Sequence, residues 1–184
     1  NSMSFNKRVK KVNEELSKRN LEGIYITNLT NVRYLTGFTG SAGSVLILDN
    51  INHFFTDGRY IEQSKEQVKN CKIHIVGGNY FKYIADNNLI KERANIGFES
   101  EHISVSLFKN LCDAINNIQW VHCEGIVEKI AAVKDQLEIQ SLKTAIEITD
   151  EVFTQIIPEL KIGDTEKNIS AKISYLFKMN GAEG

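Results

Sequence analysis

The densest run of chemically able side chains lies between Asn31 and Ser44: Asn-Val-Arg-Tyr-Leu-Thr-Gly-Phe-Thr-Gly-Ser-Ala-Gly-Ser. Arg33 is a cation whose planar fork suits a carboxylate. Tyr34 and Phe38 are rings able to wall an apolar pocket. Thr36, Thr39, Ser41 and Ser44 add hydroxyls, and Gly37, Gly40 and Gly43 recur at three-residue steps. Glycine tolerates positive φ and lets other groups approach the backbone closely. A long polar loop between two apolar runs is more often functional than a mere connector. A phosphate cradle would need these glycines to open a helix, whose first N–H groups hold the anion. They open Val45-Leu46-Ile47-Leu48 instead, a strand pattern, and the nucleotide reading is set aside. Against a substrate role for Arg33, Tyr34 and Phe38 stands a structural one, with Tyr34, Leu35 and Phe38 as core anchors and Arg33 as a surface ion-pair partner.

Other reactive residue types are scattered. Cys71, Cys112 and Cys123 show no Cys-x-x-Cys spacing, and an odd count without a secretion signal points to reduced, buried thiols in a cytoplasmic protein. His53, His74, His102 and His122 form no His-Glu-x-x-His or comparable ligand pair and read as structural or surface residues. Asp49, Asp57, Asp86, Glu99 and Glu101 fall at strand ends or in loops without ligand spacing, as solvated caps and turns do. Net charge is −1, so no overall field favours nucleic acid or an anionic membrane. No apolar run approaches the length of a membrane span, and no signal peptide is visible. Asn1-Ser2 ahead of Met3 reads as an expression remnant.

The elements around this loop follow from periodicity. Phe5, Val9, Val12 and Leu16 make the apolar stripe of a first helix, with Ser4 available to cap it and a basic opposite face that reads as solvated. Strands are expected at 23–27, 44–48, 53–56, 72–76, 94–98 and 118–123, the second and third joined as a hairpin through Asp49-Asn50-Ile51-Asn52. Asp57 should cap a helix over 59–69 with Tyr60 packed inward. Further helices are expected around Tyr80–Leu89 and over 104–117. Strands alternating with helices, with one early hairpin, indicate an α/β fold: a mixed sheet with helices packed on it. From Asp135 the strands stop. Ile139, Leu142, Ile146, Phe153 and Ile156 run at helical spacing to Pro158, which ends or kinks that helix. After Gly163, with Asp164 or Thr165 as cap, a second helix carries Ile169, Ile173, Leu176 and Phe177. Two amphipathic helices with no sheet to cover cannot hide both stripes, so the chain is expected to stop inside a second domain.

Asn31-Val32-Arg33-Tyr34-Leu35-Thr36-Gly37-Phe38, then Gly40-Ser41-Ala42-Gly43, then Thr56-Asp57-Gly58-Arg59-Tyr60, resembles the N-terminal domain of the Xaa-Pro aminopeptidase/prolidase/creatinase family. Downstream, Val133-Lys134-Asp135 with Glu138, Leu142 and Ala145, then Gly163-Asp164-Thr165-Glu166 and Gly181-Ala182-Glu183-Gly184, resembles the opening of that family's pita-bread catalytic domain. One position departs: the family often has arginine three residues before the lysine matched by Lys134, and Ala131 stands there. The resemblance implies a creatinase-like, RNase H-like domain over residues 3–123, then a linker and the opening two helices of an incomplete catalytic domain over 124–184. It implies a parent that removes the residue before proline from short proline-containing peptides, acts in the cytoplasm and forms a homodimer, with no nucleic-acid or membrane partner. The family's two divalent ions (Mn, Co or Zn) are held by two Asp, one His and two Glu, all downstream of the position matched by Gly184. This chain is therefore expected to hold no cofactor and no catalytic residue, to restrict substrate access and to support oligomerisation, with Arg33, Tyr34 and Phe38 as the substrate-access or interface candidates. Two other classes share the architecture: a non-catalytic peptide- or histone-binding module, and a creatine amidinohydrolase.

Overall fold

The computed structural model describes residues 2–182. Asn1, Glu183 and Gly184, and with them part of the Asn1-Ser2 pair and the end of the 181–184 match, lie outside the described residues. The chain divides into two compact units, Asn1–Ala132 and Val133–Gly184.

The first unit is built on six strands: β1 (Gly23–Ile26), β2 (Ser44–Leu48), β3 (Asn52–Thr56), β4 (Lys72–Ile75), β5 (Asn95–Glu99) and β6 (Gln119–Cys123). Their order across the sheet is β4-β3-β2-β1-β5-β6. Only β2 runs against its neighbours, and the β1–β5, β5–β6 and β3–β4 pairs are parallel. Six helices accompany the sheet: α1 (Ser2–Lys18), α2 (Leu29–Thr36), α3 (Ile61–Gln67), α4 (Tyr80–Asp86), α5 (Val105–Ala114) and α6 (Ile126–Ala132).

Strand alternation divides the core into two layers, because successive side chains point to opposite faces. Ile24, Ile26, Val45, Ile47 and Phe54 pack with Val9, Val12 and Leu16 of α1, Val32 and Leu35 of α2, and Ile126, Val127 and Ile130 of α6. Tyr25, Leu46, Phe55 and Ile96 pack on the other side with Phe81 and Ile84 of α4 and Leu111 and Ile115 at α5. Central β1 is buried along its whole length, which is why it reads as a continuous apolar run. Each fully buried Leu, Ile or Phe contributes about 1.5–3 kcal/mol of transfer free energy, so both helical layers are needed to hold the sheet.

The expected strands and hairpin are all present, and so is the turn at Asp57, whose side chain accepts from the Arg59 N–H and opens the 3₁₀ turn Gly58–Tyr60. Three details differ. The stretch expected as a loop from Asn31 is helical as far as Thr36, because Asn28 caps it and Val32, Leu35 and Thr36 form a buried stripe. Helix α1 begins at Ser2, so Ser4 lies inside it rather than at its cap. The short helix α6 is absent from the sequence-based expectation, and through it the first unit continues past Cys123 to Ala132.

The second unit contains α7 (Gln136–Ile156), a 3₁₀ turn (Ile157–Glu159) holding Pro158, and α8 (Glu166–Met179). Asp135 and Glu138 form a reciprocal capping box at the start of α7, and Thr165 caps α8 by accepting from the Asn168 N–H. The two helices pack on one another, and Lys172 pairs with Glu159. On α8 the predicted stripe of Ile169, Ile173, Leu176 and Phe177 is half-buried. On α7 Ile156 is buried, whereas Leu142, Ile146 and Phe153 are exposed.

Candidate functional site

Helix α2 is two turns long, too short to persist alone, so its position depends on what grips it. Its first turn is held from inside the protein. The Asn28 side chain accepts from the Thr30 N–H at 2.9 Å. Glu99, at the end of β5, accepts from the backbone N–H groups of Thr27 (2.7 Å) and Asn28 (2.8 Å). It also accepts from the side-chain amide of Asn31 at 2.6 Å, and that same amide donates to Glu128 of α6 at 2.6 Å. Burial pushes the Glu99 carboxyl above its usual range and the facing Glu128 carboxylate adds to the rise, while the bonds from Asn31, Asn28 and Thr27 oppose it. The last turn is held by Arg8, which donates to the Tyr34 carbonyl at 2.8 Å, and by Asn70, which donates to the Leu35 carbonyl at 2.9 Å. Gly37 closes the helix at φ +83, in the left-handed region that glycine occupies without a side-chain penalty.

This grip separates the sequence-derived candidates. Arg33 points to solvent and makes no side-chain hydrogen bond or ion pair among the described residues. Tyr34 is half-buried, its ring 4.3 Å beneath the Arg8 guanidinium. Phe38 is 1% exposed and belongs to the core, its ring 4.7 Å from that of Phe54 and 5.4 Å, edge-on, from that of Tyr60. Arg33 and Tyr34 are thus neighbours on one short helix, and Phe38 is the anchor beneath the loop that follows it. That loop is tied to the 3₁₀ turn Gly58–Tyr60 and to α3: Ser41 meets the Tyr60 hydroxyl at 2.7 Å, and the Thr39 N–H donates to Gln67 at 2.9 Å.

Candidates for bond-breaking chemistry are sparse. Among the described residues no group of three or more His, Cys, Asp or Glu could hold a metal ion, so the residues present do not fit a metal centre. The three cysteines are free, and burial pushes the Cys71 thiol up to about 12 and raises those of Cys112 and Cys123, the reverse of an activated nucleophile. A shallow cleft of about 380 Å³ opens between α4 and α5, lined by Tyr25, Ser44, Asn79, Tyr80, Leu107 and Asn110 among others, and no lining side chain is charged. None of the described helices is long and apolar enough to cross a membrane.

Two arrangements are not legible from sequence spacing. The Asn31–Glu99–Glu128 bridge joins residues far apart in the chain, and its one local sign is an asparagine beside Val32 on the stripe that α2 buries. The second links His53 Nδ1 to His74 Nε2 at 2.9 Å and His74 Nδ1 to the Tyr83 hydroxyl at 3.1 Å. Both histidines are buried, which agrees with a structural role.

The chain is 32% identical to an uncharacterized peptidase of Bacillus subtilis over 96% of its own length and 50% of that protein's. It superposes on an Xaa-Pro dipeptidase from Bacillus anthracis with a TM-score of 0.88 and 28% identity, over 98% of this chain and 50% of that one. It also matches the isolated N-terminal domain of a cytoplasmic peptidase from Mycobacterium tuberculosis, with a TM-score of 0.60 and 29% identity over 67% of this chain and 98% of that one. The chain spans about half the length of the curated relatives it matches. The match of residues 8–133 to the Creatinase/Prolidase N-terminal domain shows that the chain belongs to that family.

Proposed function

We propose that this chain is the N-terminal part of a metal-dependent peptidase that cleaves the bond between an N-terminal residue and proline. The observation that carries the proposal is continuity: the likeness to peptidases runs through the first unit and on along 96% of the chain. Proline removes the N–H and fixes φ, so ordinary peptidases handle the preceding bond poorly, and a dedicated enzyme must recognise the ring and measure the distance to the free amino terminus. In this reading the metal site, with two Mn, Co or Zn ions, belongs to a further region of a longer polypeptide. The first unit limits access to it: Arg33 meets a peptide carboxylate and Tyr34 flanks it by apolar contact, while Phe38 anchors the loop behind them. The enzyme works in the cytoplasm as a homodimer on short proline-containing peptides.

The test uses the longer polypeptide. Arg33→Ala should raise KM for Xaa-Pro peptides with kcat little altered and metal content intact, the pattern of lost uniform binding. The 184-residue chain alone should not cleave an Ala-Pro peptide. Unchanged kinetics on both dipeptides and longer peptides would remove Arg33 from the site, and cleavage by the chain alone would overturn the division of labour between the two regions.

A further inference from the structure

We infer that Asn31 and Glu99 are positioning residues for the part of α2 that carries Arg33 and Tyr34. The inference rests on the reading that these two side chains face the substrate. One carboxylate, Glu99, receives three hydrogen bonds from the short segment where β1 turns into α2: Thr27 N–H at 2.7 Å, Asn28 N–H at 2.8 Å and the Asn31 amide at 2.6 Å. The second hydrogen of the Asn31 amide goes to Glu128 at 2.6 Å. Asn31 is 4% exposed, so its amide depends on these carboxylates for its partners.

The donor inventory narrows what can stand at position 31. Two carboxylates require two hydrogens from one small neutral group. Serine and threonine supply one, aspartate supplies none, and glutamine is longer than the gap that asparagine spans. The amide also lies between two like charges, Glu99 on β5 and Glu128 on α6, whose proximity raises the Glu99 carboxyl further. The consequence for α2 is mechanical. Arg8 and Asn70 hold its last turn, and the Asn31–Glu99 contact holds its first. With the first turn loosened, a two-turn helix can pivot about its far end, and Arg33 and Tyr34 move with it. A shift of about 1 Å in a positioning group is enough to cost an enzyme up to about a hundredfold.

The test is a swap of donor and acceptor in the longer polypeptide. Asn31→Asp sets oxygen against oxygen at the Glu99 contact, and Glu99→Gln sets amide against amide. The swap is read in a Glu128→Gln background, where the amide at position 128 can donate to an introduced aspartate, and there the pair N31D/E99Q restores the contact with its direction reversed. The glutamine introduced at position 99 still accepts from Thr27 and Asn28 through its oxygen, its amide donates to the introduced aspartate, and net charge is that of the Glu128→Gln parent. Each single variant is expected to raise KM for an Xaa-Pro peptide about tenfold with kcat within about twofold, the size of one lost charge-assisted bond. The pair N31D/E99Q should return KM to within about twofold of the Glu128→Gln parent. Either single change made in an Arg33→Ala background should add nothing to the effect of Arg33→Ala. If Arg33→Ala raises KM while the singles leave it unchanged, the positioning role is wrong and the substrate-facing reading stands. If Arg33→Ala has no effect on KM, both fall together. Should Asn31→Asp fail to fold, Glu99→Gln and the pair N31D/E99Q decide the matter, since a KM that the swap does not recover overturns the inference.

Discussion

At the scale of single residues, the first unit hides polar groups whose value depends on pairing. His53, His74 and Tyr83 form a chain in which each contact needs one proton and both rings are neutral. A further proton on each ring would set N–H against N–H between them. Burial lowers the His53 pKa to about 4, aided by His74 and by Lys72, and burial and Lys72 lower that of His74 as well. The unfolded chain titrates near the ordinary value of about 6.5. Above that pH the rings are neutral whether folded or unfolded. As pH falls, the unfolded state takes up a proton that the folded site refuses. The contribution of His53 is therefore intact above about pH 6.5 and lost progressively as pH falls toward about 4. Urea midpoints at pH 7.5, 6 and 5 should drop steadily for the wild type and less steeply for His53→Leu. Comparing the two proteins cancels the carboxylates that titrate in the same range, and identical slopes would show that the His53 ring is not shielded in the way its burial indicates. Neither this chain nor the Asn31 bridge could be foreseen, because each is a long-range pairing of residues that sequence spacing leaves unrelated. The burial of Cys123 could, since small thiols without partner spacing are ordinarily buried, whereas Cys71 and Cys112 are only partly buried.

At the scale of elements, the glycine-rich segment owes its composition to what lies beneath it. A Cβ at Gly40 would fall 2.3 Å from Phe38 Cζ and 2.8 Å from Tyr60 Cε1, so the backbone rests directly on those rings. Gly40→Ala should destabilise the protein by about 1–3 kcal/mol, the usual cost of overpacking a buried contact. Gly58→Ala is the control, because a Cβ there meets nothing within 4 Å, and its effect should stay within about 0.5 kcal/mol. Denaturant midpoints at unchanged m-value separate the two, and equal midpoints would mean the loop yields freely. The strands and their hairpin could be anticipated because β1, β2 and β3 are compact apolar runs bounded by turn formers. Helix α2 reads as loop in the sequence because its polar residues and the glycines after it outweigh a stripe as short as Val32, Leu35 and Thr36. Helix α6 is equally brief, and the β-branched Ile126, Val127 and Ile130 give it little helical signature until the sheet is there to receive them.

At the scale of the whole molecule, the two units differ in how much apolar surface they bury. The first has a sheet with helices on both faces and a core of fully or nearly fully buried side chains in each layer. In the second, α7 buries Val152 and Ile156 but exposes Leu142 at 52%, Ile146 at 58% and Phe153 at 63%, while α8 exposes Tyr175 and Met179. The helix caps and the Lys172–Glu159 ion pair add a few tenths to about 1 kcal/mol apiece, too little to offset the ordering of two helices without a shared core. Local opening free energies follow buried apolar contact, so the two units should exchange their amide hydrogens at different rates. In a strictly monomeric sample, amides of α7 and α8 are expected to exchange at least about a hundredfold faster than those of β1 and β2, a difference of about 2.7 kcal/mol in opening free energy. If a second copy of the chain covers the exposed stripe, that gap should narrow as protein concentration rises, because association shifts stability by mass action. Protection in α7 and α8 equal to that of the sheet at a concentration where the protein is monomeric would show that the boundary at Ala132 does not divide the molecule energetically.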